Sequence, residues 1–325
     1  MSDYLLEIND LKMHFPIFGG LMLRQIKTVH ALNGVSLQVK KGETVGIVGE
    51  SGCGKSTLGK ALLRLYDPTA GQIIFDQKDI THTPQKKLRD VRQNMQIVFQ
   101  DPFESLNSRH TVGEILEEPF IIHGIGSSKE RKERARQLLR QVELPESSLN
   151  KYTHEFSGGQ RQRIGIARAI ALNPQLVVCD EPVSALDVSI QSQILNLLLE
   201  LQEQLQLTYV FIAHDLAVVK HISDRVTVMY LGKIVEYANA TSLYEFPRHP
   251  YTQALISAIP VANPGSETDK IILKGDVPSP IKPPSGCYFH TRCPIAKSVC
   301  QREIPKLKHT TKDEDHLVAC HLVNS

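Results

Sequence analysis

The run Gly49-Glu50-Ser51-Gly52-Cys53-Gly54-Lys55-Ser56 constrains this chain more than any other stretch. It follows a short apolar segment, Thr44 to Val48, and opens a helical pattern from Ser56 to Tyr66 that Asp67-Pro68 stops. That is G-x-x-x-x-G-K-[ST] between a strand and a helix, the context a phosphate-binding loop requires. The glycines let the backbone curl so that its N–H groups face phosphate oxygens, and the helix N-terminus adds a favourable dipole. Lys55 is positioned to reach the β- and γ-phosphates and the Ser56 hydroxyl to ligate Mg²⁺, with Thr57 next to them. A tight glycine-rich turn before a helix is the bland alternative, and the strand–loop–helix context weighs against it.

A partner for this loop lies further along. Leu176-Val177-Val178-Cys179-Asp180-Glu181 is an apolar strand ending in two carboxylates. Such a strand places Asp180 beside the metal and lets Glu181 face a water near the γ-phosphate. Cys179 reads as a small buried hydrophobe.

The rest of the chain alternates strand and helix patterns, which implies a mainly parallel sheet covered on both faces. Residues 5–48 read as short strands, with a turn at Lys41-Gly42-Glu43. Residues 101–172 read as a helical insertion: helices over 111–123 and 160–172, and an amphipathic one over Lys129–Val142 with Ala135, Leu138, Leu139 and Val142 apolar. A Leu-rich helix is expected over Gln191–Gln204 and a strand over Thr208–Ala213. From about residue 240 prolines accumulate, at 247, 250, 260, 264, 278, 280, 283 and 284. The expected division is a nucleotide-binding domain over 1–240 and a loop-rich extension over 241–325.

A formal net charge of +2 gives no basic excess for nucleic acid. No apolar run reaches the length of a membrane span. The N-terminus lacks a basic start followed by an apolar core, so a cytoplasmic location is expected, with any membrane contact made through a partner.

Phe156-Ser157-Gly158-Gly159-Gln160, just before the Asp180 strand, resembles the signature sequence of ABC ATPases, with Phe where Leu is commonest. Three further segments fit that resemblance in order. Gln100, after Met95-Gln96-Ile97-Val98-Phe99, resembles the Q-loop glutamine, which contacts Mg²⁺ and water. Ser184-Ala185-Leu186-Asp187 resembles the D-loop, and His214 resembles the switch histidine near the γ-phosphate. Phe15 stands where the family has an adenine-stacking aromatic; a core phenylalanine is the alternative. The resemblance implies an α/β P-loop cassette: a RecA-like core with an antiparallel part and a helical subdomain. It implies ATP hydrolysis with Glu181 and His214 at the reacting end. It also implies that Ser157, Gly158, Gly159 and Gln160 serve the ATP of a second subunit, so that two ATPase subunits close head-to-tail.

The chain is similar over nearly its whole length to the ATPase subunits of bacterial oligopeptide and dipeptide importers. The marks are Phe99-Gln100-Asp101-Pro102-Phe103 with Ser105-Leu106-Asn107, Glu181 through Gln191, Arg248-His249-Pro250-Tyr251-Thr252-Gln253-Ala254-Leu255, and the terminal cysteines. The long 16–28 segment resembles the second, F-type, ATPase of such systems. Ser108 departs from the common Leu-Asn-Pro-Arg wording. The family implies a heterodimer with a second ABC ATPase at the cytoplasmic face of the inner membrane, two permease subunits, an extracytoplasmic peptide-binding protein and no nucleic acid. Relatives also serve nickel, antimicrobial peptides or sugars. A soluble ABC ATPase acting on nucleic acid or ribosomes usually joins two cassettes or inserts coiled coils, and this chain does neither. An inactive scaffold would lack Lys55, Asp180 or Glu181.

Cys287, Cys293, Cys300 and Cys320 are spaced x5, x6 and x19, without a Cys-x2-Cys pair. Four thiolates can bind Zn²⁺ or a [4Fe–4S] cluster, and four reduced thiols in a small tail are the bland alternative. A tail this poor in apolar periodicity calls for a staple. The importer resemblance implies the iron–sulfur cluster, with His290, His316 and His321 solvated or behind the ligands. Its expected role is to brace the extension, away from the phosphates.

Overall fold

The computed structural model describes residues 3–20, 24–259, 270–310 and 313–323. The chain forms two compact units: Met1–Lys40, Thr44–Thr83 and Ala213–Ser325 in the first, and Lys41–Glu43 with Pro84–Ile212 in the second.

In the first unit the expected short strands are two long ones, Tyr4–Gly19 and Arg24–Lys40, paired antiparallel. Several register shifts interrupt the ladder, the bulges that let a long ribbon twist. Ala70–Phe75 and Lys78–Asp79 continue this sheet. Leu6, Ile8, Leu11, Leu32, Val35 and Val39 are buried. The exposed side chains of Arg24 to Lys27 mark the far end of the ribbon, and part of the 16–28 segment, residues 21–23, lies outside the described residues.

The same unit contains the strand Thr44–Val48, fully buried, parallel to Arg225–Tyr230. Lys233–Asn239 returns antiparallel, and Asp313–Val318 and Lys308–Thr310 follow. The loop-rich tail therefore adds strands to the nucleotide-loop unit. It also supplies the helices Ala240–Glu245, Pro250–Ser257 and Ser298–Arg302. Proline at 250 sits in the first turn of its helix, where its missing N–H costs nothing. Pro260 and Pro264 lie outside the described residues.

In the second unit Met95–Val98, Leu176–Asp180 and Thr208–Ile212 run parallel. The helices Val112–His123 and Ser128–Gln141 each begin with a reciprocal capping box, Thr111 with Glu114 and Ser127 with Glu130. Ala135, Leu138, Leu139 and Val142 face the core, as their spacing predicts. The helix Gly158–Ile170 and the long helix Val188–Leu205 complete this unit.

Among the described residues no helix is long and apolar enough to cross a membrane.

Candidate functional site

The phosphate loop belongs to the first unit. Gly49 has φ 151°, and a Cβ there would meet the Met229 carbonyl oxygen at 2.2 Å, so only glycine fits. Gly54 is the left-handed N-cap of the helix Lys55–Leu62. That helix starts at Lys55 and ends four residues short of the expected Tyr66. Arg64 takes φ 52° just past its end, where its buried guanidinium donates to the Ile80 carbonyl at 3.1 Å and to Asp67 at 2.9 Å.

Lys55 is 4% exposed, and its Nζ donates to the carbonyls of Gly49 at 2.8 Å and Glu50 at 3.2 Å. The ammonium is thus held inside the curl of its own loop. Cys53 is buried, and burial raises its thiol pKa. Phe15 is half-buried and meets Tyr66 edge-on at 5.4 Å, so it is neither sealed in the core nor fully free. His214, exposed, follows Ala213, whose N–H donates to the Ile47 carbonyl on the phosphate-loop strand.

The carboxylates belong to the second unit. Asp180 ends its strand and is buried. Glu181 takes φ 48°, a left-handed conformation uncommon for glutamate. Its N–H donates to the Ile212 carbonyl, which fixes that turn. Gln100 Nε2 donates to Glu181 Oε2 at 3.3 Å. Cys179 is fully buried and its thiol pKa is pushed well up by burial, in keeping with a small apolar filler.

Ser157 caps the helix Gly158–Ile170: its N–H donates to Gln160 Oε1 at 3.0 Å, and Gln160 N–H donates to its Oγ at 3.4 Å. The signature segment is therefore both a helix cap and a helix N-terminus, the arrangement that favours anions. Gly159 packs against the helix Val188–Leu205, where a Cβ would lie 2.5 Å from Ile190 Cγ2. The D-loop is a turn held from both sides. Ser184 Oγ donates to the Glu181 carbonyl, and Gln191 Nε2 donates to the carbonyls of Val183 and Leu186. Arg161 and Arg168 tie the signature helix to the segment after Gln100. The first lies 3.8 Å over the Phe103 ring and the second donates to the Ser105 carbonyl at 2.6 Å.

Some contacts had no signal in the motifs. Arg292 grips the Glu50 carboxylate with both terminal nitrogens, at 2.7 and 3.1 Å, and Glu50 N–H donates to Tyr251 Oη at 2.9 Å. The pairs are more than 200 positions apart. Tyr251 stands in the tail wording, and Arg292 directly precedes Cys293. The tail thus reaches the phosphate loop.

Its anchorage rests on buried side chains. Phe289 is 1% exposed and meets Tyr230 and Tyr251 at 5.2 and 5.4 Å between ring centres. Buried Glu236 accepts from the N–H groups of Arg248 and His249 and shares a 2.6 Å hydrogen bond with His316. Aromatic burial and a satisfied carboxylate hold the tail in the first unit. His316, expected to be solvated or behind the ligands, is 2% exposed and completes that carboxylate's partners. His290 bonds the Cys287 carbonyl and His321 the Glu303 carbonyl.

The four tail cysteines are free thiols. Burial pushes the Cys287 thiol up to about 11, with Cys300, Cys320 and Cys293 adding to the rise. Among the described residues no group of three or more His, Cys, Asp or Glu side chains could hold a metal ion as placed.

A model of ABC transporter cassettes matches residues 32–184, and one of the oligopeptide/dipeptide transporter C-terminal region matches residues 235–300. The oligopeptide transport ATP-binding protein AppF of Bacillus subtilis is 57% identical over 324 residues, 99% of this chain and 98% of that protein. A putative peptide import ATP-binding protein of Brucella ovis is 56% identical over 293 residues, 90% of this chain and 92% of that protein. A dimeric ATP-binding cassette in a post-hydrolysis state, bound to ADP and phosphate, superposes with a TM-score of 0.64. It is 31% identical and covers 72% of this chain and 98% of its own.

Proposed function

The chain belongs to the ATP-binding subunits of ABC transporters, and from that premise we propose that it hydrolyses ATP to drive import of di- and oligopeptides through membrane permeases. The observation that carries this reading is the full-length match to an oligopeptide transport ATP-binding protein, which takes in both the cassette and the importer-type tail.

Phosphoryl transfer to water needs positioning and charge neutralisation more than covalent chemistry. The loop 49–56 supplies amides and the Lys55 ammonium to the phosphates. Ser56, Gln100 and Asp180 offer a hydroxyl, an amide and a carboxylate, the hard oxygen donors Mg²⁺ prefers. When bound, that ion neutralises charge on the β- and γ-oxygens. Glu181, held in its turn and touched by Gln100, orients and polarises the attacking water, and His214 holds the γ-phosphate. Ser157 and the amides of the signature helix serve the nucleotide of a second ABC subunit. We place the working unit as a heterodimer on two permeases at the inner face of the cell membrane, fed by an extracytoplasmic peptide-binding protein.

The tail cysteines are the ligands we assign to a [4Fe–4S] cluster. Four free thiols in one tail supply the Cys₄ set that such a cluster takes. The aromatic and carboxylate contacts above leave the cluster a bracing role.

The test is uptake. Proteoliposomes carrying the assembled transporter should accumulate labelled oligopeptide only with ATP, and Lys55→Ala should abolish it. Uptake of nickel or sugar with no peptide uptake overturns the substrate.

A further inference from the structure

Glu50 is an awkward residue for a loop that cradles a polyanion. Its carboxylate opposes phosphate binding unless something neutralises it. Arg292 does so in bidentate geometry, the strongest form of such a pair. The Arg292 side chain is 9% exposed and that of Glu50 29%, so solvent screens the pair only in part. Two features keep Arg292 in place. Its N–H donates to the Phe289 carbonyl, and its guanidinium lies 6.0 Å from the centre of the Tyr230 ring. Tyr230 and Tyr251 meet at 4.8 Å, both fully buried, and Tyr251 Oη accepts the Glu50 N–H. One residue of the phosphate loop is therefore gripped at its carboxylate and at its backbone by two residues of the tail.

We propose that Arg292 and Tyr251 are positioning residues for nucleotide binding. Through Glu50 they fix the entrance of the phosphate loop and cancel the charge it carries, so the importer-type tail sets the cassette's affinity for ATP. This rests on the reading of residues 49–56 as the ATP phosphate loop. The Glu50 N–H is committed to a tyrosine oxygen. Its bond orients the Gly49–Glu50 peptide, whose carbonyl accepts from Lys55, as does the next carbonyl, that of Glu50. Loosening Glu50 loosens the ammonium's seat as well.

The experiment is a binding cycle on the full-length chain, read with a fluorescent ATP analogue and Mg²⁺, with thermal melting in parallel. Arg292→Ala should raise Kd about tenfold, the scale of one charge-assisted contact. Adding Glu50→Gln to it should remove the penalty, so that the double variant binds no worse than Glu50→Gln alone. A tail that merely folds badly would not be rescued by a change at residue 50. Tyr251→Phe keeps the ring packing and loses the hydroxyl. It should raise Kd severalfold even if Arg292→Ala does not fold. Wild-type affinity in both Arg292→Ala and Tyr251→Phe, or a defect that Glu50→Gln leaves untouched, overturns the proposal. Failure of the wild-type chain to bind the analogue overturns the ATPase reading itself.

Discussion

Gln100 donates a hydrogen bond to the Glu181 carboxylate at 3.3 Å, and Glu181 sits in a left-handed turn that only a fixed environment maintains. The contact joins the segment carrying Phe103, which the signature helix holds through Arg161 and Arg168, to the residue assigned to the attacking water. Gln100→Ala should lower ATP turnover about tenfold, the scale of one hydrogen bond to a charged group, with ATP affinity little changed. Steady-state ATPase assays of the assembled transporter measure it. An unaltered kcat removes Gln100 from the account.

Gly159 lets the signature helix lie against Ile190. Gly159→Val forces the helices apart at a cost on the order of 1–3 kcal/mol. The variant should melt at a lower temperature, still bind ATP through its own loop, and lose most ATPase activity in the assembled transporter. Full activity would show that the signature helix need not sit at this depth.

His249 ties pH to stability. Burial lowers its pKa from the ordinary 6.5 to about 4, with Glu236 opposing the shift. Its Nδ1 accepts the Tyr251 N–H, capping the helix Pro250–Ser257, so the folded chain holds the neutral ring. A depressed folded pKa means that its contribution is full above pH 6.5 and is lost as pH falls towards 4. The span corresponds to about 3 kcal/mol. The melting temperature should fall through that window, and His249→Asn, which caps without titrating, should flatten the decline. Identical pH profiles for both proteins would contradict this.

Much of the site was legible because it is local. The spacing from Gly49 to Ser56 and the carboxylates ending Leu176–Asp180 each depend on a few consecutive residues, and the capping-box spacing from Ser157 to Gln160 likewise. Helix faces such as Ala135–Leu138–Leu139 follow from periodicity alone. What escaped was long-range. Nothing near Glu50 signals Arg292, and nothing near Glu236 signals His316. Those pairs exist because the tail folds into the phosphate-loop unit, where a buried carboxylate must find partners. The tail looked weak because its apolar residues are few and aperiodic. Phe289, buried against Tyr230 and Tyr251, and scattered residues such as Leu243, Ala254 and Val318 replace a periodic face.

The cysteine assignment predicts colour. Anaerobically purified protein should be brown and carry about four irons per chain, and Cys293→Ser should bleach it. Colourless anaerobic protein with stoichiometric zinc and no iron would show the wrong metal.

The central claim is that this chain hydrolyses ATP with Glu181 directing the water. Glu181→Gln keeps the size and hydrogen bonding of the side chain and removes its charge. The measurement is ATP turnover by the assembled transporter, with ATP binding followed in the same samples. Turnover should fall roughly a hundredfold or more while binding persists. Equal turnover by wild type and Glu181→Gln would contradict the account.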